Sequence, residues 1–140
     1  MRMGRLGVNT VMLVALVLGI VAGSAAMVGH ARPVYLGFTK GGKMVATAGG
    51  VALALSPYAA LVAAAVWILF FALLRYASVA SMVAASALPL LCLAFGASWP
   101  VVGFTALAAL GVLLLHRQNV RRLLSGTESR FSRGAAPHAD

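Results

Sequence analysis

Blocks of apolar residues without a single charged side chain take up most of this chain. They run from about Val8 to Val28, Val45 to Leu55, Tyr58 to Leu74, Ser78 to Phe95 and Val101 to Leu115. A helix that is apolar on every face has no polar stripe to offer water, so it belongs in a core or in lipid. Inside a bilayer each backbone N–H and C=O must be bonded within its own segment, which leaves helix as the form for such runs. The pattern predicts an all-α, polytopic integral membrane protein of about five apolar helical segments. Composition agrees: 62% of the residues are hydrophobic and 9% charged, where a soluble domain carries ~25% charged residues. Disorder needs low hydrophobicity and high charge, and is excluded on the same ground.

The blocks are not equivalent. Val8 to Val28 is long enough to cross a bilayer, and Arg2 and Arg5 precede it. Its small residues Gly19, Gly23 and Ser24 suit close approach of a second helix. The same run also fits a secretory leader, with a basic start and the small residues Gly23-Ser24-Ala25-Ala26 where a cut would fall. Val45 to Leu55 is too short to cross alone, and Ser56-Pro57 marks a turn after it. Pro89 predicts a kink within Ser78 to Phe95. Gly96-Ala97-Ser98 is a break, and Trp99 stands where an interfacial aromatic belongs. A single domain over 1–131 is expected, with a disordered tail over 132–140 that includes Gly134-Ala135-Ala136-Pro137. Cys92 has no partner for an intrachain disulfide, and it reads as a small buried apolar residue.

The formal charge is +9, from 11 Lys and Arg against 2 acids. In a soluble chain this balance would suggest nucleic acid. Here the basic residues flank apolar runs, and no separate basic helix or aromatic platform exists to bind a nucleic acid. If the runs alternate in direction, one side carries Arg32, Lys40, Lys43, Arg75, Arg117, Arg121, Arg122, Arg130 and Arg133, and the other only Arg2 and Arg5. The tendency of Lys and Arg to stay inside makes the richer side cytoplasmic. It also gathers the loop at Lys40, the turn at Arg75 and the segment at His116 on one face.

Those three segments carry the polar chemistry. Lys40-Gly41-Gly42-Lys43 leads into an apolar helix. Glycines let a backbone approach a ligand, a helix N-terminus adds partial positive charge, and the lysines add formal charge, which together suit a phosphate. The alternative is a turn whose lysines snorkel at the membrane edge, and residue chemistry alone does not separate the two. Gly37, Gly42 and Lys43 also match the spacing of a nucleotide-binding P-loop. The hydroxyl that such a loop needs is replaced by Met44, and the acids are limited to Glu128 and Asp140, so an ATPase is not supported. His116 and Asn119 share a face if the last helix continues. A histidine there can serve as base or donor, while Arg121 and Arg122 fit lipid head groups. Arg75-Tyr76-Ala77-Ser78 and Ser81 read on their own as a polar interhelical turn. His30 reads as a structural cap, and His138 lies in the tail.

In this order the segments resemble the bacterial acyl-phosphate:glycerol-3-phosphate acyltransferase family (PlsY). The carriers are Gly29-His30-Ala31-Arg32-Pro33-Val34, Lys40-Gly41-Gly42-Lys43-Met44-Val45-Ala46-Thr47, Arg75-Tyr76-Ala77-Ser78-Val79-Ala80-Ser81, and His116-Arg117-Gln118-Asn119-Val120-Arg121-Arg122-Leu123-Leu124-Ser125-Gly126-Thr127-Glu128. The resemblance runs from about Val21 to Phe131. Met44 stands where the family has glycine, Thr39 reads as an insertion, and the family's earlier Ser-Gly-Asn motif has no counterpart. The resemblance with these departures suggests a truncated, misstarted or degenerate member: an acyltransferase whose first motif lies upstream or comes from a partner, or a non-catalytic remnant.

What the resemblance implies is a transferase of phospholipid synthesis in the bacterial inner membrane, its motif loops cytoplasmic. It would move a fatty acyl group from acyl phosphate to glycerol 3-phosphate and release lysophosphatidate, with no metal or other cofactor. Lys43 with Gly41 and Gly42 would bind phosphate. Ser81, His116 and Asn119 would hold glycerol 3-phosphate, with His116 and Asn119 the catalytic pair. Lys40, Arg75 and Arg117 would support substrate. The acyl chain would lie between helices.

Overall fold

The structure is a computed structural model that describes residues 2–39 and 41–132, with the side chains of residues 2–8 outside the description. Each apolar block forms one helix: α1 Arg2–Ala31, α2 Val45–Leu55, α3 Pro57–Leu74, α4 Ala77–Ala94 and α5 Trp99–Leu115. A short sixth helix, α6 Arg117–Leu124, follows His116. No strand occurs among the described residues. The protein is an all-helical integral membrane protein. Three helices are long and apolar enough to cross a membrane, within Asn9–Leu36, Pro57–Leu74 and Ala77–Ala94. α5 and α6 make a fourth only when taken together across a 51° bend. α2 has 11 residues and falls short, as its length in the sequence suggested.

The helix ends follow local chemistry. Pro57 sits in the first turn of α3 and Pro100 in that of α5, where the missing N–H is no loss. α4 runs unbroken through Pro89 and stops at Gly96, whose φ of 70° is easy for glycine. There the Gly96 and Ala97 amides donate to the carbonyls of Leu93 and Cys92. The same closing motif recurs at Gly126, with Gly126 and Thr127 donating to Leu123 and Arg122. It turns the chain back toward the helices it has just left.

α3, α4 and α5 pack side by side, and α2 links α1 to α3 while touching α5. The packed interior is made of small residues. Ala52, Ala59, Ala60, Ala63, Leu88, Cys92 and Val101 form one cluster. In lipid no hydrophobic force draws helices together, so close contact of small side chains has to do it. Cys92 is fully buried there, as its apolar reading requires. Gly19 and Gly23 hold α1 against α2: a Cβ at Gly23 would meet Val51 Cγ1 at 2.5 Å, and one at Gly19 would meet Leu55 Cδ2 at 3.2 Å. The segment that also fitted a leader is thus part of the helical packing, and Met27 below it is buried with Ala48 and Ala108. Larger apolar side chains such as Leu18, Leu69, Leu90 and Leu107 point outward. In water this would be an aggregation surface; against acyl chains it is the expected arrangement.

Candidate active site

The site begins where α5 meets α6. His116 caps α5 and is only 2% exposed. Its ring Nδ1 lies 2.8 Å from the Val112 carbonyl oxygen. A carbonyl can only accept, so Nδ1 carries a proton, and in the neutral ring Nε2 keeps a lone pair. Burial pulls the pKa of His116 below its usual value, and the positive charge of Lys43 adds to this against the Val112 bond and Glu128. The lowered pKa favours the neutral imidazole, with Nε2 as an acceptor. One turn on, Asn119 is also buried. Its amide Nδ2 donates to Glu128 Oε1 at 2.6 Å. Its Oδ1 is buried and meets no donor among the described residues.

Glu128 fixes this geometry. After Gly126 reverses the chain, Glu128 Oε1 accepts from Ser78 Oγ at 2.7 Å as well as from Asn119. Its other oxygen accepts from Arg122 Nε at 2.7 Å. Burial alone would raise the carboxyl pKa. The hydrogen bonds from Asn119, Ser78 and Arg122, with the Arg122 charge, outweigh it and hold the group at about 2. One carboxylate thus ties the start of α4 to α6. The returning segment is pinned further: Phe131 N donates to the Arg75 carbonyl at 2.8 Å, the Phe131 ring packs on Phe71, and Arg130 lies over the Tyr76 ring.

Ser81 lies one turn beyond Ser78 on α4 and is buried. Its hydroxyl donates to the Ala77 carbonyl at 2.7 Å and accepts from Trp67 Nε1 at 3.0 Å. Trp67 in turn stacks on Phe71, with ring centroids 5.0 Å apart.

The Gly41–Gly42 loop comes from the other side. The Gly41 and Gly42 amides donate to the Ala31 and His30 carbonyls, each at 3.0 Å. Those amides are engaged with the end of α1, so they do not face a ligand, a role that glycine-rich loops often have. The glycines serve a different need. A Cβ on Gly42 would run into the His30 ring, and one on Gly41 into the His30 carbonyl. His30 thus packs the loop against α1, as a structural residue. Met44 then takes φ 63° ahead of α2, in the left-handed region that costs an ordinary residue ~1–2 kcal/mol. Glycine at this position would carry no such cost. The first intrahelical bond of α2 runs from Ala48 to Met44, so the amides just before it point out of the helix end. Lys43 is exposed and its charge acts on His116, which brings the loop and the α5 end together.

The other expected site residues sit further out. Arg75 is exposed at the end of α3 with φ 60°. Arg117 is exposed, and its Nη1 donates to the Leu114 carbonyl at 3.3 Å. Lys40 lies outside the described residues. Two residues that the sequence left in the background are central here: Glu128, and Trp67 behind Ser81. A lone carboxylate in a basic segment is a legible signal, since such a group is rarely buried unless paired. Nothing in the sequence distinguishes Trp67 from any other aromatic in a span.

Below this polar layer lies an apolar cavity of about 550 Å³ between α2, α3, α4 and α5. Val45, Trp67, Ser81 and Val112 line its polar end, and Ala52, Ala60 and Leu88 the far end. Seven residues of helix separate Ser81 from Leu88, a depth of ~10 Å.

The sequence pattern of a family described as glycerol-3-phosphate acyltransferase matches residues 4–126. A glycerol-3-phosphate acyltransferase of Desulforudis audaxviator is 48% identical over 115 residues, covering 82% of this chain and 58% of the relative. One of Geobacter sulfurreducens is 48% identical over 109 residues, covering 78% and 56%. Among solved structures, PlsY, an integral membrane glycerol 3-phosphate acyltransferase, matches in its glycerol 3-phosphate form with a TM-score of 0.74 and 41% identity. That match covers 77% of this chain and 54% of the other. Its lysophosphatidic acid form matches equally, covering 55% of that chain. The chain spans a little over half the length of the curated relatives it matches.

Proposed function

The chain belongs to the glycerol-3-phosphate acyltransferase family, and on that premise we propose that it transfers a fatty acyl group from acyl phosphate to glycerol 3-phosphate, giving lysophosphatidate. The observation that carries this reading is the buried, unpartnered Asn119 Oδ1 on the same helical face as the neutral His116. Both offer acceptors, and acceptors suit the hydroxyls of a polyol. Lys43 supplies the positive charge that a phosphate needs, and the end of α2 supplies outward amides. Gly41 and Gly42 hold that loop in place. Arg75 and Arg117 lie on the same side and draw anionic substrates toward it, and Lys40 belongs to the same basic loop by sequence.

In the reaction the glycerol hydroxyl attacks the acyl carbonyl carbon. A new ester C–O bond forms, the C–O bond to phosphate breaks, and phosphate departs with the electron pair. Phosphate is a good leaving group, so the site has mainly to position the partners and stabilise charge. His116 Nε2 accepts the hydrogen bond of the attacking hydroxyl and orients its lone pair, and the hydroxyl proton is passed on to the departing phosphate. The acyl chain lies in the alanine-lined cavity, whose volume is within the usual range of ligand sites. The basic loops face the cytoplasm of a bacterial inner membrane, because Lys and Arg crowd that side.

The purified full chain in lipid is to be given labelled glycerol 3-phosphate with either palmitoyl phosphate or palmitoyl-coenzyme A. Lysophosphatidate from the acyl phosphate alone is expected. Product from the thioester alone would overturn the proposed donor, and none from either would leave a non-catalytic membrane protein of this family.

A further inference from the structure

We propose that Trp67 is a positioning residue that turns Ser81 into a pure acceptor, directing it to a glycerol hydroxyl of the substrate and away from the phosphate. This rests on the reading of the site as a glycerol 3-phosphate site.

The case is a count of bonding capacity. A serine hydroxyl has one hydrogen to donate and two lone pairs to accept with. Ser81 donates its hydrogen to the Ala77 carbonyl at 2.7 Å, one turn earlier in α4. An indole N–H can only donate, so the 3.0 Å contact from Trp67 Nε1 fills one lone pair. One lone pair remains. A phosphate monoester is largely dianionic at neutral pH and offers oxygens that accept. Ser81 has nothing left to donate to it. A glycerol hydroxyl does have a hydrogen, and Ser81 can accept it.

Trp67 is itself well anchored. Its ring stacks on Phe71 at 5.0 Å and 20°, and Phe71 packs at 5.6 Å on Phe131 of the returning segment. The indole therefore arrives with its N–H already aimed from α3 to α4. Without it the Ser81 hydroxyl would have a second lone pair to satisfy and freedom to rotate off Ala77. It could then donate to an anion, and the distinction between the two ends of the substrate would blur.

The test measures binding by calorimetry on the full chain in lipid nanodiscs, without acyl donor. The probes are glycerol 3-phosphate and propyl phosphate, which keeps the phosphate and the three carbons but lacks both hydroxyls. Trp67→Phe keeps the ring stack and removes the N–H. It is expected to weaken glycerol 3-phosphate by roughly three- to tenfold, the size of one hydrogen bond, and not to weaken propyl phosphate. Ser81→Ala should do the same, Ser81→Thr should restore wild-type binding, and Trp67→Phe should add nothing to Ser81→Ala. Unchanged melting temperatures of the variants exclude a general loss of fold. Trp67→Phe binding glycerol 3-phosphate as tightly as wild type would overturn the proposal. So would an equal weakening of both probes, which would put Ser81 on the phosphate. Failure of the site reading itself would appear earlier, as no glycerol 3-phosphate binding by the wild type.

Discussion

Glu128 organises the polar layer because three donors from two elements converge on its carboxylate. Its role is visible in how stability should respond to acid. Its pKa is about 2 in the fold against an ordinary 4.5, so its contribution is complete above about pH 4.5 and disappears as pH falls toward 2. His116, lowered from 6.5 by burial, works in the same direction over a higher window: its contribution is lost as pH falls below 6.5 through the lowered value. The melting temperature in detergent should therefore fall with acid in two stages. Glu128→Gln should remove the lower stage and cost on the order of 2 kcal/mol at neutral pH, because a neutral amide cannot serve all three donors as well. An unchanged acid profile in that variant would show that the carboxylate does not hold the layer. The sequence made His116 and Asn119 legible through their spacing and through the long closing motif. It did not reveal the partners that orient them, since Ser78, Trp67 and Glu128 reach the site from three separate segments. The reading of Gly41 and Gly42 as phosphate-binding did not anticipate the return of the loop onto α1, because a long-range backbone bond leaves no mark in a local motif.

At the scale of elements, glycine placement sets how closely helices approach. Gly23 and Gly29 lie on the same helix, yet a Cβ would meet Val51 at 2.5 Å at the first and nothing within 4 Å at the second. Valine is stiff about χ1 and cannot swing away. Gly23→Ala should cost about 1–3 kcal/mol through overpacking, whereas Gly29→Ala should be neutral or gain up to about 1 kcal/mol of helix propensity. Thermal unfolding of both variants in the same detergent checks the pair, and equal effects would refute the packing argument. Helices α2 to α5 were legible to within about two residues, because uninterrupted apolar runs admit one secondary structure in lipid, while α1 extends past its apolar run at both ends. The Gly19–Gly23 pair was readable as small-residue packing, although its partner on α2 was not. The 51° bend between α5 and α6 had only a weak signal, the change from apolar to basic residues at His116.

The whole molecule is a set of helices with a polar layer at one end and an apolar cavity beneath it. This division suits the proposed reaction between a water-soluble phosphate ester and a lipid-derived acyl group: the first would be met by Lys43, His116 and Asn119, the second by the alanines of α2 to α5 that line the cavity. The side-by-side arrangement of Lys43 and His116 depends on a shared face that alternation of the apolar runs already indicated. The cavity could not be read from sequence, since alanines that line a space and alanines that close a helix contact look the same. The most direct test of this account is the rate of lysophosphatidate formation from palmitoyl phosphate and labelled glycerol 3-phosphate, with wild-type chain and Lys43→Ala purified side by side in lipid. Steady turnover by the wild type and a loss of at least ~100-fold in Lys43→Ala are predicted, as for removal of a group that stabilises developing charge. Turnover that survives unchanged in Lys43→Ala would contradict the placement of the phosphate at this loop.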